Sequence, residues 1–448
     1  SWATVPLLVA ADVEEGVGQR FAGGVWWPPP MALGEIAARD LPAAGHWARQ
    51  MGEVTAREAL AIGINWLLAP VADVNNNPRN PVIDVRAFGD RPEVVTPLVQ
   101  EFVRGARTHP VLTTAKHFPG HGDTATDSHL ALPVLPFDPE RFAAIEFPPF
   151  QGAIAAGTDA VMLAHVLAPQ WDRAIAPASP VWVTEVLRQR LGFTGLVVTD
   201  ALVMAGATAQ MPETDLAVAA LQAGVDVLLM PSDPEATIRA VVAAVAQGTL
   251  RSERLTEAWH RVQAAKGRVA MGGEGFPRLG APADWQAAET VCAQSNRGFV
   301  PTDWVRPTVG VNLVAVETAP LLDSRAPAIA LPAAWGWPPL LVNRDSLAHL
   351  NLESLPPTFL QVFGRGNPFR GDRAPYLETL QTVVQTLVRC QKLLGLMVYG
   401  SPQVLTPLLP LLPNPCPWGF AYGQHPEAQA IALAPLGVKT AGSPEFTD

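Results

Sequence analysis

Short apolar runs rich in β-branched residues alternate with amphipathic stretches through the first 270 residues or so of the chain. Alternating strand and helix patterns of this kind favour a parallel sheet or barrel. Six of the runs end at distinctive residues, which are Asp12, Asp73, Lys116 with His117, His165, Asp200, and Met230 with Pro231. Catalytic groups of (β/α)8 barrels lie where the strands end, so the series predicts an α/β fold with an active-site rim.

A closed (β/α)8 TIM-type barrel needs eight strands, whereas the sequence shows six. The first of the six begins almost at the start of the chain. The barrel is therefore predicted either to contain irregular strands or to lack its opening βα unit at the N-terminus. The stretch 268–281 is rich in Gly and Pro, which marks a linker or the exit from the barrel. We therefore predict a barrel over residues 1–275 and a second domain over residues 276–448.

The second domain again alternates strand-like and helical patterns. ADWQAAETVCAQ and YLETLQTVVQTLVRCQ have helical periodicity. The apolar runs between and after them are interpreted as strands, and they are VGVNLVAV, PAIALP, PPLLVN, TFLQVFG, LLGLMVY and PWGFAY. Strands and helices in alternation predict an α/β layer arrangement.

Charge and hydropathy exclude several classes of partner. The formal net charge is −10 and Lys and Arg do not cluster, which argues against nucleic acid and anionic lipid. No apolar run approaches the roughly 18 residues that span a bilayer, and the N-terminus lacks the order of a signal peptide. The three cysteines form no CxxC pair, so we expect buried thiols. A neutral substrate and a cytoplasmic location are expected, with a removed leader as the alternative.

The densest group of titratable residues is the segment KHFPGHGDTATDSH, from Lys116 to His129. Its glycines and proline oppose a regular helix, so a long loop after a strand is predicted. A solvated polar loop is one alternative to a catalytic loop. A metal site is another, although the spacing matches no zinc pattern. The residues that would serve such a metal site are His117, His121 and His129 with Asp123 or Asp127.

This segment, followed by LALP, resembles the hallmark of the family 3 glycoside hydrolases of the β-N-acetylglucosaminidase subgroup. That hallmark is KHFPGHG, a short variable stretch, and an Asp-Ser/Thr-His dyad. The resemblance extends from Asp12 to about residue 270, through APVADVNNNPRNPVIDVRAFG, VMLAHV, GFTGLVVTDALVMAGA and AGVDVLLMP. The second domain resembles the family's αβα sandwich at VYGSPQVLTPLLPLLP and FAYGQHPEAQAIAL.

The resemblance makes Asp200 the catalytic nucleophile. A retaining glycosidase needs a carboxylate that attacks the anomeric carbon and forms a glycosyl-enzyme. Asp200 directly ends the apolar run GLVVT, in keeping with this role. A helix N-cap or core-edge aspartate is the structural alternative.

By the same resemblance His129 is the general acid/base, oriented by Asp127. A carboxylate that accepts the ring N–H of an imidazole sets its tautomer and raises the basicity of the other nitrogen. A deprotonated histidine carries no negative charge and would not repel an incoming anion. A β-N-acetylglucosaminide phosphorylase therefore stays open as an alternative.

Further residues are implied to bind the sugar. Arg20 and Arg86 have a structural salt bridge as their alternative role, and His165 and Met204 have core packing. The implied substrate-binding set is Lys116, His117, Arg86, Asp12, Arg20, His165 and Met204.

Together these features predict a retaining exo-β-N-acetylglucosaminidase that hydrolyses terminal β-GlcNAc residues. A β-GlcNAc glycoside or a peptidoglycan fragment is the implied substrate, and neither cofactor nor metal is invoked. A family 3 β-glucosidase or β-xylosidase would usually draw its acid/base Glu from the second domain and lack the Asp-Ser-His loop. The rival from a different class is a non-catalytic sugar-binding protein built on a degenerate barrel.

Overall fold

The computed structural model describes residues 7–269, 278–317, 324–365 and 374–436. These residues form two compact units, the first reaching Ala287 and the second beginning at Ala288. The boundary predicted from the sequence, between residues 275 and 276, lies outside the described residues. The two units are described separately below.

The first unit is built on a parallel five-stranded sheet whose spatial order follows the chain. Its strands are β1 Ala10–Ala11, β2 Trp66–Leu67, β3 Leu112–Phe118, β4 Ala160–Leu163 and β5 Leu196–Thr199. The sixth predicted run contributes a single parallel bridge, from Val227 to Val198. The predicted class, a parallel sheet of the TIM-barrel type, is confirmed.

Helices connect these strands, as the sequence pattern predicts. They are α1 Met31–Ala37, α2 Leu41–Ala61, α3 Pro92–Ala106, α4 Pro139–Arg141, α5 Phe147–Ala155, α6 Glu213–Ala223, α7 Pro234–Ala246 and α8 Ser252–Lys266, with π-helical segments at Phe142–Glu146 and Val181–Arg190. Asp40 caps α2 by accepting the backbone N–H of Ala43 at 3.0 Å. Such a cap satisfies an N–H that the helix itself leaves unpaired.

Helices α2 and α3 pack closely at two glycines. A Cβ atom on Gly52 would lie 2.2 Å from the carbonyl oxygen of Phe102, and one on Gly105 would lie 1.8 Å from that of Arg49. Both distances are far below van der Waals contact, so larger residues would force the helices apart. Helix α3 is followed in the chain by β3, the strand that carries much of the candidate site.

An aromatic cluster supports the other side of β3. The ring of Phe118 lies 6.2 Å from Phe147, 5.2 Å from Phe150 and 6.0 Å from Trp182. All four side chains are buried. Aromatic burial of this size contributes strongly to stability, and it anchors the C-terminal end of β3.

The second unit contains a mixed six-stranded sheet in the order β6-β11-β10-β9-β7-β8, with β6 antiparallel to β11. The strands are β6 Arg297–Phe299, β7 Val311–Val316, β8 Pro339–Asn343, β9 Thr358–Gly364, β10 Leu393–Gly400 and β11 Trp418–Ala421. The helices from the end of the first unit onward are α9 Pro282–Ser295, α10 Pro327–Ala334, α11 Arg344–Ala348, α12 Ala374–Arg389, α13 Pro402–Leu405 and α14 Pro426–Leu433. The sheet with its helices agrees with the predicted sandwich.

One predicted strand of this unit is wrong. PAIALP begins α10, a helix with Ala328 and Ile329 buried. A short apolar run fits a buried helix as well as a buried strand, and periodicity alone does not separate them. The two helical predictions are confirmed by α9 and α12.

Within the described residues, no helix is both long enough and apolar enough to cross a membrane. All three cysteines are free thiols; Cys292 and Cys416 are buried, whereas Cys390 is partly exposed. The expectation of three buried thiols is therefore met at two of the positions.

The buried carboxylate of Asp226 binds three arginine side chains and the backbone of β5. The fully buried Asp226 accepts hydrogen bonds from Arg188 at 2.6 Å, Arg254 at 2.6 Å and Arg261 at 2.9 Å. It also accepts the backbone N–H of Val197 in β5 at 3.0 Å. Removing one member of a buried ionic cluster leaves its partners without compensating charge.

We predict that Asp226→Asn lowers the free energy of unfolding by about 3 kcal/mol, because three guanidinium groups lose their counter-charge. Equilibrium denaturation measures the change. The matched control is Glu235→Gln, which breaks an exposed pair with Arg239 on α7 and is expected to cost about 0.5 kcal/mol or less. Equal losses in the two variants would contradict the structural role of Asp226.

Candidate active site

The first part of the site is a cluster of charges at the ends of β1 and β3. Lys116 lies in β3 with its side chain only 2% exposed, and its Nζ contacts Asp12 Oδ1 and Glu14 Oε1, each at 2.6 Å. Arg86 is the last residue of a short 3₁₀ helix and donates two hydrogen bonds to Glu14, at 2.9 and 2.8 Å. Buried charges are tolerated when they are paired and hydrogen-bonded in this way. Lys116 and His117 thus belong to the strand, and the loop predicted to begin at Lys116 begins after Phe118.

The pKa shifts of this cluster follow from its ion pairs. Burial raises the pKa of Glu14, but Arg86 and Lys116 lower it more, so it lies well below its usual value. Burial lowers the pKa of Lys116, but Asp12 and Glu14 raise it above its usual value. Both groups are therefore charged at neutral pH. Two cations and two carboxylates give a cluster with no net charge.

Asp73 organises the two histidines of the KHFPGHG segment. Its carboxylate accepts the ring Nδ1–H of His117 at 2.7 Å and the backbone N–H of His121 at 2.7 Å. Burial raises the pKa of Asp73, but the neighbouring His117 lowers it more, and the net shift is downward. With Nδ1 donating to Asp73, Nε2 of His117 is an acceptor that lies 3.4 Å from Arg86 Nη2.

His121 is a structural member of the loop. Its Nδ1 lies 2.8 Å from Thr124 Oγ1 and its Nε2 lies 2.9 Å from Ser128 Oγ. Burial lowers the pKa of His121 to about 4, so the ring is neutral at physiological pH. Both ring nitrogens are engaged within the loop, which holds Ser128 and its neighbours in place.

The predicted dyad is assembled at the end of this loop. His129 Nδ1 lies 2.8 Å from Asp127 Oδ1, and the same oxygen accepts the backbone N–H of His129 at 2.9 Å. Asp127 is buried, while His129 is partly exposed. The loop is joined to the segment after Asp200 by a backbone hydrogen bond from Gly206 to Ser128 at 3.0 Å.

Asp200 follows β5 directly, and its backbone N–H donates to the carbonyl oxygen of Leu163 in β4 at 2.9 Å. Its side chain accepts the backbone N–H of Ala201 at 2.8 Å. Burial raises the pKa of Asp200, but His117, His165 and that backbone N–H lower it more. The net shift is downward, so this side chain is a carboxylate at neutral pH.

His165 links the two catalytic candidates electrostatically. It is fully buried, and its Nε2 donates to the carbonyl oxygen of Ala201 at 3.1 Å. Burial lowers its pKa, the charge of Asp200 opposes this change, and His129 adds to it. The backbone N–H of Ala205 donates to the carbonyl oxygen of His129 at 3.4 Å, which joins the Asp127–His129 pair to the segment that follows Asp200.

Met204 and Arg20 are the remaining residues that the sequence predicts to bind the sugar, and one is buried whereas the other is exposed. Met204 is buried just after Asp200. Arg20 is exposed, and its Nε donates to the backbone carbonyl of Asp12 at 3.2 Å. Arg20 therefore lies at the margin of the charged cluster and its side chain binds the backbone there.

Three residues that organise the site are not among the catalytic and sugar-binding residues that the sequence predicts. Asp73 is predicted only as a strand end and His121 only as a ligand in the metal alternative, and Glu14 has no predicted role. The available signal for Asp73 was its place directly after an apolar run. Among the described residues, no three His, Cys, Asp or Glu side chains are arranged to hold a metal ion, so the metal alternative gains no support.

Comparison with known proteins identifies the family of this chain. Residues 1–265 match the glycosyl hydrolase family 3 N-terminal domain, and residues 307–436 match the bacterial glycosyl hydrolase family 3 C-terminal domain. The chain therefore belongs to glycosyl hydrolase family 3 and is a glycoside hydrolase.

Individual relatives show the extent of the similarity. A β-hexosaminidase of Shewanella frigidimarina is 36% identical over 65% of this chain and 82% of its own length. A β-N-acetylglucosaminidase/β-glucosidase of Cellulomonas fimi is 32% identical over 63% of this chain, which spans 51% of that longer protein. The structure of a family 3 β-N-acetylglucosaminidase from Paenibacillus is similar with a TM-score of 0.81 and 30% identity, covering 96% of this chain and 84% of that one.

We predict that Asp73→Asn lowers kcat/KM by about 10- to 100-fold, because an amide oxygen cannot accept all the N–H groups that orient His117 and His121. Steady-state kinetics on a nitrophenyl glycoside measure the effect. The control is Asp123→Asn, which alters the same loop at its ion pair with Arg141. A comparable loss in both variants would assign the effect to the loop as a whole.

Proposed function

We propose that the chain is a retaining exo-β-N-acetylglucosaminidase that hydrolyses terminal β-linked GlcNAc residues, including those of peptidoglycan fragments. The observation that carries this proposal is the ionised carboxylate of Asp200, followed directly by a segment whose backbone is hydrogen-bonded to the loop of the Asp127–His129 pair. A retaining mechanism needs a carboxylate nucleophile and a separate proton donor.

In the first step the carboxylate of Asp200 attacks the anomeric carbon and the glycosidic C–O bond breaks. The depressed pKa of Asp200 keeps it in the nucleophilic form at neutral pH. The hydrogen bond from Ala201 occupies one carboxylate oxygen and fixes the side chain. The other oxygen is the natural point of attack.

His129 is proposed to supply and then remove the proton. Asp127 accepts the Nδ1–H, so Nε2 is the nitrogen proposed to exchange a proton with the substrate and with water. As an imidazolium, His129 protonates the departing oxygen. As an imidazole, it then takes a proton from the water that hydrolyses the glycosyl-enzyme.

The charged cluster is proposed to bind the sugar hydroxyls. Lys116 and Glu14 are buried, whereas the side chain of Asp12 is 46% exposed and open to a ligand. Charge-assisted hydrogen bonds to hydroxyls are stronger than neutral ones and specify sugar orientation. His117, held by Asp73, lies beside Arg86 in the same group.

Two relatives described by name as a β-hexosaminidase and a β-N-acetylglucosaminidase support the GlcNAc preference. A pocket that hydrogen-bonds an acetamido group leaves polar atoms unpaired when the group is missing. The Cellulomonas fimi relative is named for β-glucosidase activity as well, so a glucoside is the competing substrate to test.

We predict that the aryl β-N-acetylglucosaminide is hydrolysed with a kcat/KM at least about 100-fold above that for the aryl β-glucoside. Assays with and without inorganic phosphate, followed by product analysis, also identify the acceptor. Free sugar in both assays is expected. Equal kcat/KM values would favour a β-glucosidase, and a sugar 1-phosphate as the main product would favour a phosphorylase.

We predict that His129→Ala strongly reduces hydrolysis of disaccharides but slows the first step far less for a dinitrophenyl glycoside, which needs no acid assistance. The second step then limits turnover, so mass spectrometry is expected to find the glycosyl group on the Asp200 peptide. Azide is expected to restore turnover, because it attacks without a base.

The control for this experiment is His260→Ala, on the exposed face of α8, which is expected to behave as wild type. A uniform loss for good and poor leaving groups, without rescue by azide, would show that His129 only binds sugar. Labelling of a residue other than Asp200 would reject the proposed nucleophile.

A further inference from the structure

The second unit contains a cysteine, a histidine and a glutamate in a row. Cys292 Sγ lies 3.7 Å from His425 Nε2, and His425 Nδ1 lies 3.0 Å from Glu427 Oε2. Cys292 is 4% exposed and the His425 side chain 2%, whereas the side chain of Glu427 is 31% exposed. A thiol, an imidazole and an orienting carboxylate in this order are the components of an activated cysteine nucleophile.

The local fold brings the three residues together. Cys292 lies in α9, His425 is the N-cap residue of α14, and Glu427 lies in the first turn of that helix. Gly423 lies beside the histidine ring, and a Cβ atom there would lie 2.8 Å from His425 Nε2. A larger residue at position 423 would press on the nitrogen that faces the sulfur.

The charges of the group favour a protonated histidine. Burial lowers the pKa of His425, but Cys292 and Glu427 raise it more, to about 10. Burial raises the pKa of Glu427, but its contact with His425 lowers it more, and the net shift is downward. An imidazolium next to a cysteine is the usual setting of reactive thiolates.

The other two cysteines provide an internal comparison. Cys416 is buried with its Sγ 3.7 Å from the carbonyl oxygen of Pro417, and burial raises its pKa to about 11. Cys390 is partly exposed at the end of α12. If solvent exposure alone set the rate of oxidation, Cys390 would be oxidised first.

We propose that Cys292 is a peroxide-reactive thiol, activated by His425 and Glu427, in a site separate from the glycosidase residues. The thiolate sulfur attacks one oxygen of a hydroperoxide, an S–O bond forms and the O–O bond breaks. The leaving hydroxide takes the proton of His425 and becomes water. Sulfur is oxidised by two electrons to sulfenic acid and the peroxide is reduced. Because the sulfur is nearly buried, the oxidant is small and uncharged, as hydrogen peroxide is.

The experiment treats the full chain, under native conditions, with hydrogen peroxide for increasing times. Catalase stops the reaction, the protein is unfolded in dimedone, and mass spectrometry locates sulfenic acid adducts. We expect the Cys292 adduct to form at least about tenfold faster than the adduct of Cys390 or Cys416. Faster oxidation of either of those cysteines would overturn the proposal.

Variants test whether His425 and Glu427 cause the reactivity. His425→Asn is expected to slow oxidation of Cys292 about tenfold, and the milder Glu427→Gln a few-fold. His349→Asn, on an exposed residue of the same unit, is the control and is expected to change nothing. Thermal unfolding identifies variants that fold. If Glu427→Gln folds and leaves the Cys292 rate unchanged, the three residues form only a structural contact and the proposal is wrong.

Discussion

The buried ammonium group of Lys116 is the constraint on which the charged cluster of the candidate site depends. Every residue of β3 is buried, so a lysine in this strand needs counter-charges that approach from neighbouring segments. Asp12 and Glu14 supply them from the end of β1, and Glu14 in turn holds Arg86. One buried cation therefore determines the positions of three further side chains, and the paired charges present a polar but neutral surface.

Asp73 has the same importance for the catalytic loop. It accepts hydrogen bonds from the ring of His117 and from the backbone of His121. His121 then engages Thr124 and Ser128, directly before the Asp127–His129 pair. A proton donor must be held at a defined place, so a loop that carries one must have few alternative conformations. This chain of contacts provides that order without a regular helix or strand.

Buried polar groups serve a different proposed chemistry in each of the two units. In the first unit, opposite charges and hydrogen bonds outweigh the effect of burial and keep Asp200, Glu14 and Lys116 charged at neutral pH, which suits the polar chemistry of a glycosidase. In the second unit, the imidazole of His425 lies between a sulfur and a carboxylate. That arrangement follows the same electrostatic rule, because each buried charge is stabilised by an opposite neighbour.

The sequence by itself determined the alternation of strands and helices, the family, the aspartate that ends β5 and the Asp-Ser-His loop, because these features are local. Asp127 and His129 are two residues apart, and a pattern of that length is visible in the chain. Only the tertiary structure decided the partners of Lys116 and Arg86, since Asp12 is 104 residues from Lys116 and Glu14 is 72 residues from Arg86. It also decided that PAIALP is helical, because a short and uniformly apolar run has no periodic signal that separates a strand from a helix.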